Sequence, residues 1–341
     1  MFENVFQKYI TPRNILFIIG IILFTVFIFN IPEIALMFFA SFVIACSLEP
    51  LVKKLMPRFS RKAAGAIVLL AALLFVCAFF VPIIVIGTHE INSFAKNFPQ
   101  YVNNVINFIN SSNIISQLNF AQLDIGGVIS SVSVTSSKIL SETINAGKNI
   151  GSAFIYLLVS ILIIYYFMVD GAKIRAAALK LFPKDIRKRT ADIVEVIAAR
   201  SGGYVIAQIM TMASVGIIIT IGLFILKNEY ALLLGLISAV FDIIPVVGPV
   251  IAFLICMVTV FKSGPLVLIL TAVIFASAQL AENNFVRPYV FSKFLDLHPL
   301  VIYLFLFLAA KYMGVVGVIF APAIAATVVV LIEEVYMKNM E

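Results

Sequence analysis

The run Phe241-Asp242-Ile243-Ile244-Pro245-Val246-Val247-Gly248-Pro249 places one carboxylate inside an otherwise apolar stretch. An acid at membrane depth costs about 3 kcal/mol on insertion scales, so it usually faces a cavity, an ion or a partner. Pro245 and Pro249 each withhold a backbone donor and leave upstream carbonyls unpaired, and Gly248 permits a sharp bend. Free carbonyls beside a carboxylate are suited to a desolvated cation or a proton. The plainer reading, that Asp242 sits at a headgroup boundary and caps a broken helix, stands beside the functional one.

A second constellation runs through Gln279, Glu282, Asn283, Asn284, Arg287 and Pro288. On a helix Gln279, Glu282 and Asn283 share one face, and Arg287 follows Asn283 by four residues and Glu282 by five. The pattern fits a substrate-facing polar stripe with its own carboxylate and guanidinium, and it also fits a helix end with a local ion pair. His298 before Pro299 reads as a helix-entry residue. A third pattern, Gly314, Gly317, Ala321, Pro322 and Ala325, spaces small residues for close helix contact, with Pro322 breaking the ladder. Set against residues 235–252, it is a second apolar segment pairing glycine with proline. Two such segments are the sequence pointer to a transporter binding site.

The elements that must position these groups are helices in a bilayer. The 341 residues are 62% hydrophobic and 12% charged, with a mean hydropathy of +1.12. Soluble domains carry about 25% charged residues, and the apolar runs here are too long and too unalternated for barrel strands. The expected fold is all-α and polytopic, with about seven or eight membrane segments and discontinuous or re-entrant helices in the C-terminal half. Residues 1–87 hold three spans, the first two a hairpin turning at Asn30 to Glu33. Residues 88–149 have no net charge and form an extracytoplasmic segment. In it Phe94, Phe98, Val102, Val105 and Ile109 mark an amphipathic helix, and a weaker pattern follows from Ile125 to Ile144. Residues 150–169 are the fourth span, 170–203 a basic helical segment, and 204–341 a core of broken helices. Residues 250–261 would cover only about half a bilayer at about 1.5 Å per residue.

The formal net charge is +7. Lys53, Lys54, Arg58, Arg61 and Lys62 cluster in one loop, and Lys173, Arg175, Lys180, Lys184 and Arg187 to Arg189 in another. Under the positive-inside rule both loops, and with them the N-terminus, are expected to be cytoplasmic. This placement makes the lipid bilayer, and no nucleic acid, the partner of the basic charge. Cys46, Cys77 and Cys256 lie in apolar runs and read as packing residues, and the two histidines are far apart, so no metal site or cofactor is expected. Neither HExxH nor GxSxG occurs, which argues against an enzyme.

Gly203-Tyr204, Gln208, residues 231–235, the Asp242 to Pro249 run, Gln279 with Glu282-Asn283, Pro288, Leu297-His298-Pro299 and the stripe from Gly314 to Ala325 together resemble the AI-2E family of bacterial membrane transporters. The early spans, the outer segment and the basic loop around Phe182-Pro183 follow the same order. The resemblance implies export of autoinducer-2, a quorum-sensing signal, as in some members, or exchange of sodium or lithium for protons, as in others. The chain departs from the pattern in having Ile206-Ala207 where an Arg-Gly pair often precedes Gln208, and Asp242 where Asn is frequent. The expected function is secondary transport of a small polar solute or signal molecule. Its pathway would be lined by Asp242, Pro245, Gly248, Pro249, Gln279, Glu282, Asn283 and Arg287, with Gly314, Gly317 and Pro322 as helix-break or packing residues. A monovalent-cation/proton antiporter, coupling H+ and Na+, and a non-transporting scaffold are the alternatives. The small-residue stripe would serve a homo-oligomer, a pentamer for instance.

Overall fold

A computed structural model describes residues 31–111, 150–244, 247–291 and 297–336. The expected first span at residues 15–29, the pattern from Ile125 to Ile144, and Pro245 lie outside the described residues. The described residues form helices and no strand, as an all-α polytopic membrane protein requires. They are α1 (Pro32–Leu55), α2 (Arg61–Ser111), α3 (Ile150–Leu179), α4 (Arg187–Ile225), α5 (Ala231–Phe241), α6 (Val247–Val260), α7 (Pro265–Ala281), α8 (Arg287–Phe291) and α9 (Pro299–Leu331). Among the described residues five helical stretches are long and apolar enough to cross a membrane, and α5 and α6 are shorter.

One end of the bundle is basic. Arg61 at the start of α2 donates from Nη2 to both Glu49 oxygens of α1, at 2.8 and 3.0 Å, and from Nε to the Met168 carbonyl of α3 at 3.0 Å. From this anchor α2 runs unbroken to Ser111, about 75 Å at the helical rise of about 1.5 Å per residue. The third span and the amphipathic helix read from the sequence are therefore one helix, and its far half projects beyond a bilayer core of about 30 Å. Between α1, α2 and α3 lies an apolar cluster of Ala45, Val52, Ala64, Val68, Leu69, Ile164 and Met168.

Lipid tails are as apolar as leucine, so helices in a bilayer associate through close packing rather than through removal of water. α4 shows how. At Gly202 an added Cβ would stand 2.7 Å from the Cys46 backbone of α1, and at Gly216 it would stand 2.8 Å from Ala239 of α5. A second core cluster, including Val215, Ile219, Leu234, Ala252, Cys256 and Phe275, joins α4 to α5, α6 and α7.

α5 and α6 form a hairpin that enters and leaves on the same side. Tyr230, just before α5, packs on Phe94 of α2 with ring centroids 5.5 Å apart, and Phe261, just after α6, packs on Phe108 of α2 at 5.3 Å. Both open ends thus lie on the far half of α2, and the tip, at Asp242 to Gly248, points back toward the basic end. α9 makes a second hairpin of opposite sense. Its 36-residue apolar stretch, Pro299–Glu334, would be a single span by length. However, Gly314 has φ 63° and ψ −158°, a conformation that only glycine adopts readily. Leu306, Ala309, Val318 and Ala321 consequently share one cluster, although in a straight helix Leu306 and Ala321 would be about 22 Å apart. The arm 315–331 returns to the basic end of α4, where Arg200 Nη1 meets Glu333 Oε2 at 3.3 Å and Arg189 bonds the Glu334 carbonyl. Ile244, in the tip of the first hairpin, packs against the cluster between the arms of the second. Two oppositely directed half-helix hairpins therefore meet inside the bundle, the discontinuous architecture expected of the C-terminal half.

Candidate functional site: a buried carboxylate pair between two hairpins

Three elements converge at the tip of the α5–α6 hairpin. α5 ends at Asp242, whose amide N–H donates to the Ser238 carbonyl at 3.0 Å. The chain then turns, with Ile244 N–H on the Phe241 carbonyl at 3.0 Å and Gly248 N–H on the Ile244 carbonyl at 3.0 Å. A Cβ at position 248 would run into the Phe241 carbonyl, so the tip closes only over glycine. Pro249 follows within the first turn of α6, where a missing N–H costs nothing.

α7 brings the second group. Its α-helical ladder widens at Glu282–Val286 into a π-turn, in which the Arg287 N–H bonds the Glu282 carbonyl. Such i→i+5 turns concentrate at functional sites. In a regular α-helix residues five apart point to different faces, but here the wide turn brings Arg287 onto Glu282, with Nε donating to Oε1 at 2.6 Å. Gln279 Nε2 donates to the other oxygen, Oε2, at 3.3 Å. Glu282 is fully buried and both its oxygens are satisfied, the condition under which an ionised carboxylate tolerates burial.

Asp242 is in the opposite situation. It is 1% exposed, and neither Oδ1 nor Oδ2 has a hydrogen-bond partner. The charged groups acting on it are Glu282 and Arg287. Two carboxylates are both acceptors, so a hydrogen bond between Asp242 and Glu282 would need a proton added between them.

α4 completes the site. Gln208 Nε2 donates to the Asp242 main-chain carbonyl at 3.3 Å and ties down the hairpin tip. Tyr204, also near Arg287, donates its hydroxyl to the Ile319 carbonyl of α9 at 2.8 Å, beside the break made by Pro322. Neither Tyr204 nor Gln208 was among the expected pathway residues. A lone amide in the apolar body of α4 was the available signal for Gln208.

The structure thus brings together Asp242, Gly248, Gln279, Glu282 and Arg287, with Pro249 behind the tip. Asn283 is exposed and does not join them. Gly314 is the turn of the second hairpin, Gly317 packs between its arms against the Ala309 carbonyl, and Pro322 is buried in the returning arm. Among the described residues no group of three or more His, Cys, Asp or Glu is placed to hold a metal ion. The donor set is two carboxylates, two amides and one guanidinium, with a formal charge of −1 when both acids are ionised.

The chain matches the AI-2E family transporter profile over residues 15–337. A Bacillus subtilis protein named "Putative transport protein YrrI" is 32% identical over 182 residues, covering 52% of this chain and 50% of that one. The "Sodium-lithium/proton antiporter" of Halobacillus andaensis is 24% identical over 347 residues, covering 92% of this chain and 94% of that one. The chain spans about half the length of the Bacillus relative and nearly all of the Halobacillus one. With 15–337 matched in a single stretch that holds both hairpins, the chain belongs to the AI-2E family of transporters.

Proposed function

We propose that this membrane transporter is a secondary transporter whose cargo passes between the two hairpins at Asp242 and Glu282. The observation that carries the reading is the Asp242 carboxylate, fully buried with both oxygens unpartnered. A bare carboxylate in an apolar interior is costly, and it is retained where something comes and goes to neutralise it. Of the two cargo classes, a small polar solute of the autoinducer-2 kind draws its support from the family description. Exchange of a monovalent cation for a proton draws support from the site itself. A proton bridging Asp242 and Glu282, or a small desolvated cation in its place, satisfies the orphan oxygens. The two occupants exclude each other, which is what antiport requires. The Halobacillus relative named for that activity is consistent with it.

The test is flux in proteoliposomes. Na+ or Li+ gradients should drive proton movement in the wild type, and Asp242→Asn should abolish it while the protein still inserts. A signal-molecule flux with no cation dependence would move the cargo to the first class, and normal flux in both Asp242→Asn and Glu282→Gln would sink the site. By the positive-inside rule the basic end is cytoplasmic, so the α5–α6 hairpin would open outward and the α9 hairpin inward.

A further inference from the structure

The far half of α2 does more than protrude. It holds both open ends of the α5–α6 hairpin, whose tip carries Asp242. At the start of the hairpin, Tyr230 is 4% exposed, although it belongs to a turn between two helices. Its hydroxyl receives two contacts from α2: Ser93 Oγ at 3.1 Å and Asn97 Nδ2, which donates at 3.1 Å. Asn97 Nδ2 also reaches Ser93 Oγ at 3.4 Å, so the three groups form a closed triangle. The Phe94 and Tyr101 rings stand edge-on to the Tyr230 ring, with centroids 5.5 and 6.5 Å away. The neighbouring Glu229 accepts from the Tyr101 hydroxyl at 3.3 Å. Burial and then Tyr230 and Glu229 push the Tyr101 hydroxyl above its ordinary range.

The turn presenting Tyr230 is itself braced. Lys227 holds a left-handed φ of 55°, and Asn228 Oδ1 accepts from the Tyr230 N–H at 2.8 Å. At the far end of the hairpin Phe108 packs on Phe261. At its start the hold on α2 is polar, through the Tyr230 hydroxyl and through Glu229.

We propose that Tyr230 is the latch of the outer gate: while Ser93 and Asn97 hold its hydroxyl, α5 stays seated on α4, and release of the hydroxyl lets the hairpin lift and opens a path from the α2 end to Asp242. At this seat Gly216 and Gly235 bring α4 and α5 close, with Ala239 against Gly216 and the Thr220 side chain against Gly235. The inference rests on the transport reading, but its readout is solvent access rather than flux.

Ser238, a residue of α5 that is 1% exposed, is replaced by cysteine in a chain whose Cys46, Cys77 and Cys256 are alanine. The protein is reconstituted in vesicles, and a membrane-impermeant maleimide is added from the α2 side. Ser238→Cys should label slowly alone and at least about tenfold faster with Tyr230→Phe, which keeps the ring and removes only the hydroxyl. Asn97→Ala, which leaves the Ser93 contact, should give an intermediate rate and serves as the test if Tyr230→Phe fails to assemble. Equal labelling in all well-assembled variants overturns the latch. Accelerated labelling in a protein whose wild type moves neither cations nor signal molecules leaves the latch standing and removes the transport reading instead.

Discussion

Asp242 and Glu282 are both buried acids, but their substitution should have opposite effects on stability. Glu282 is held by Arg287 and Gln279, so Glu282→Gln takes the charged partner at 2.6 Å away from a guanidinium. Breaking a buried pair from one side costs about 3–5 kcal/mol, and Arg287, partly exposed, recovers some of that by hydration. A loss of about 2–3 kcal/mol is expected, seen as a lower melting temperature in detergent. Asp242 has no partner to strand. Asp242→Asn removes a buried charge at nearly constant volume and supplies a donor toward Glu282, so stability should hold or rise while flux disappears. A transporter that melts higher and no longer transports would mark Asp242 as a group kept for its work. If Asp242→Asn were as destabilising as Glu282→Gln, the residue would be a structural helix cap instead.

At the scale of elements, the two hairpin tips turn for different reasons and should respond differently to alanine. At Gly248 the obstacle is steric: a Cβ meets the Phe241 backbone carbonyl, which cannot rotate away. Gly248→Ala should spread the tip that carries Asp242 and reduce flux more than stability. At Gly314 nothing lies within 4 Å of an added Cβ, and the obstacle is the backbone conformation alone, with φ 63°. Gly314→Ala should therefore cost about 1–3 kcal/mol, measured as a lower melting temperature, with α9 biased toward a straight helix. Equal effects of the two substitutions on melting would contradict this division. The same contrast explains what could be read from the residues. The shortness of α6 and the Gly248-Pro249 pair announced a broken helix, because length and missing donors are written in composition. Gly314 read as a helix-break or packing position, with the choice left open because spacing does not encode a positive φ. The Glu282–Arg287 contact was legible as a local ion pair at a helix end, but the π-turn that makes it was not, since helical arithmetic at 3.6 residues per turn places the two residues on different faces. The unbroken course of α2 past residue 88 was equally hidden, because a change from apolar to amphipathic composition looks like a boundary even where the backbone continues.

The whole molecule is polarised: apolar side chains such as Phe224 and Phe307 cover its flanks, while its ion pairs with Arg61, Lys173 and Arg200 gather at the basic end. Because lipid supplies no hydrophobic drive between helices, that end needs polar ties. Arg61 is the main one, since a single guanidinium joins α1 through Glu49 and α3 through the Met168 carbonyl while sitting on α2. Its side chain is 30% exposed and that of Glu49 25%, so water screens part of the attraction. Arg61→Ala should cost about 1–2 kcal/mol, mostly from the three-way geometry rather than from charge. Arg61→Lys is the discriminating variant. It keeps the charge, but a point ammonium cannot serve Glu49 with one nitrogen and Met168 with another. Melting temperatures should therefore rank the wild type first, Arg61→Lys near Arg61→Ala, and both clearly below. If Arg61→Lys melted like the wild type, the tie would be simple charge balance at a headgroup surface, and the three helices would be held by their apolar cluster alone.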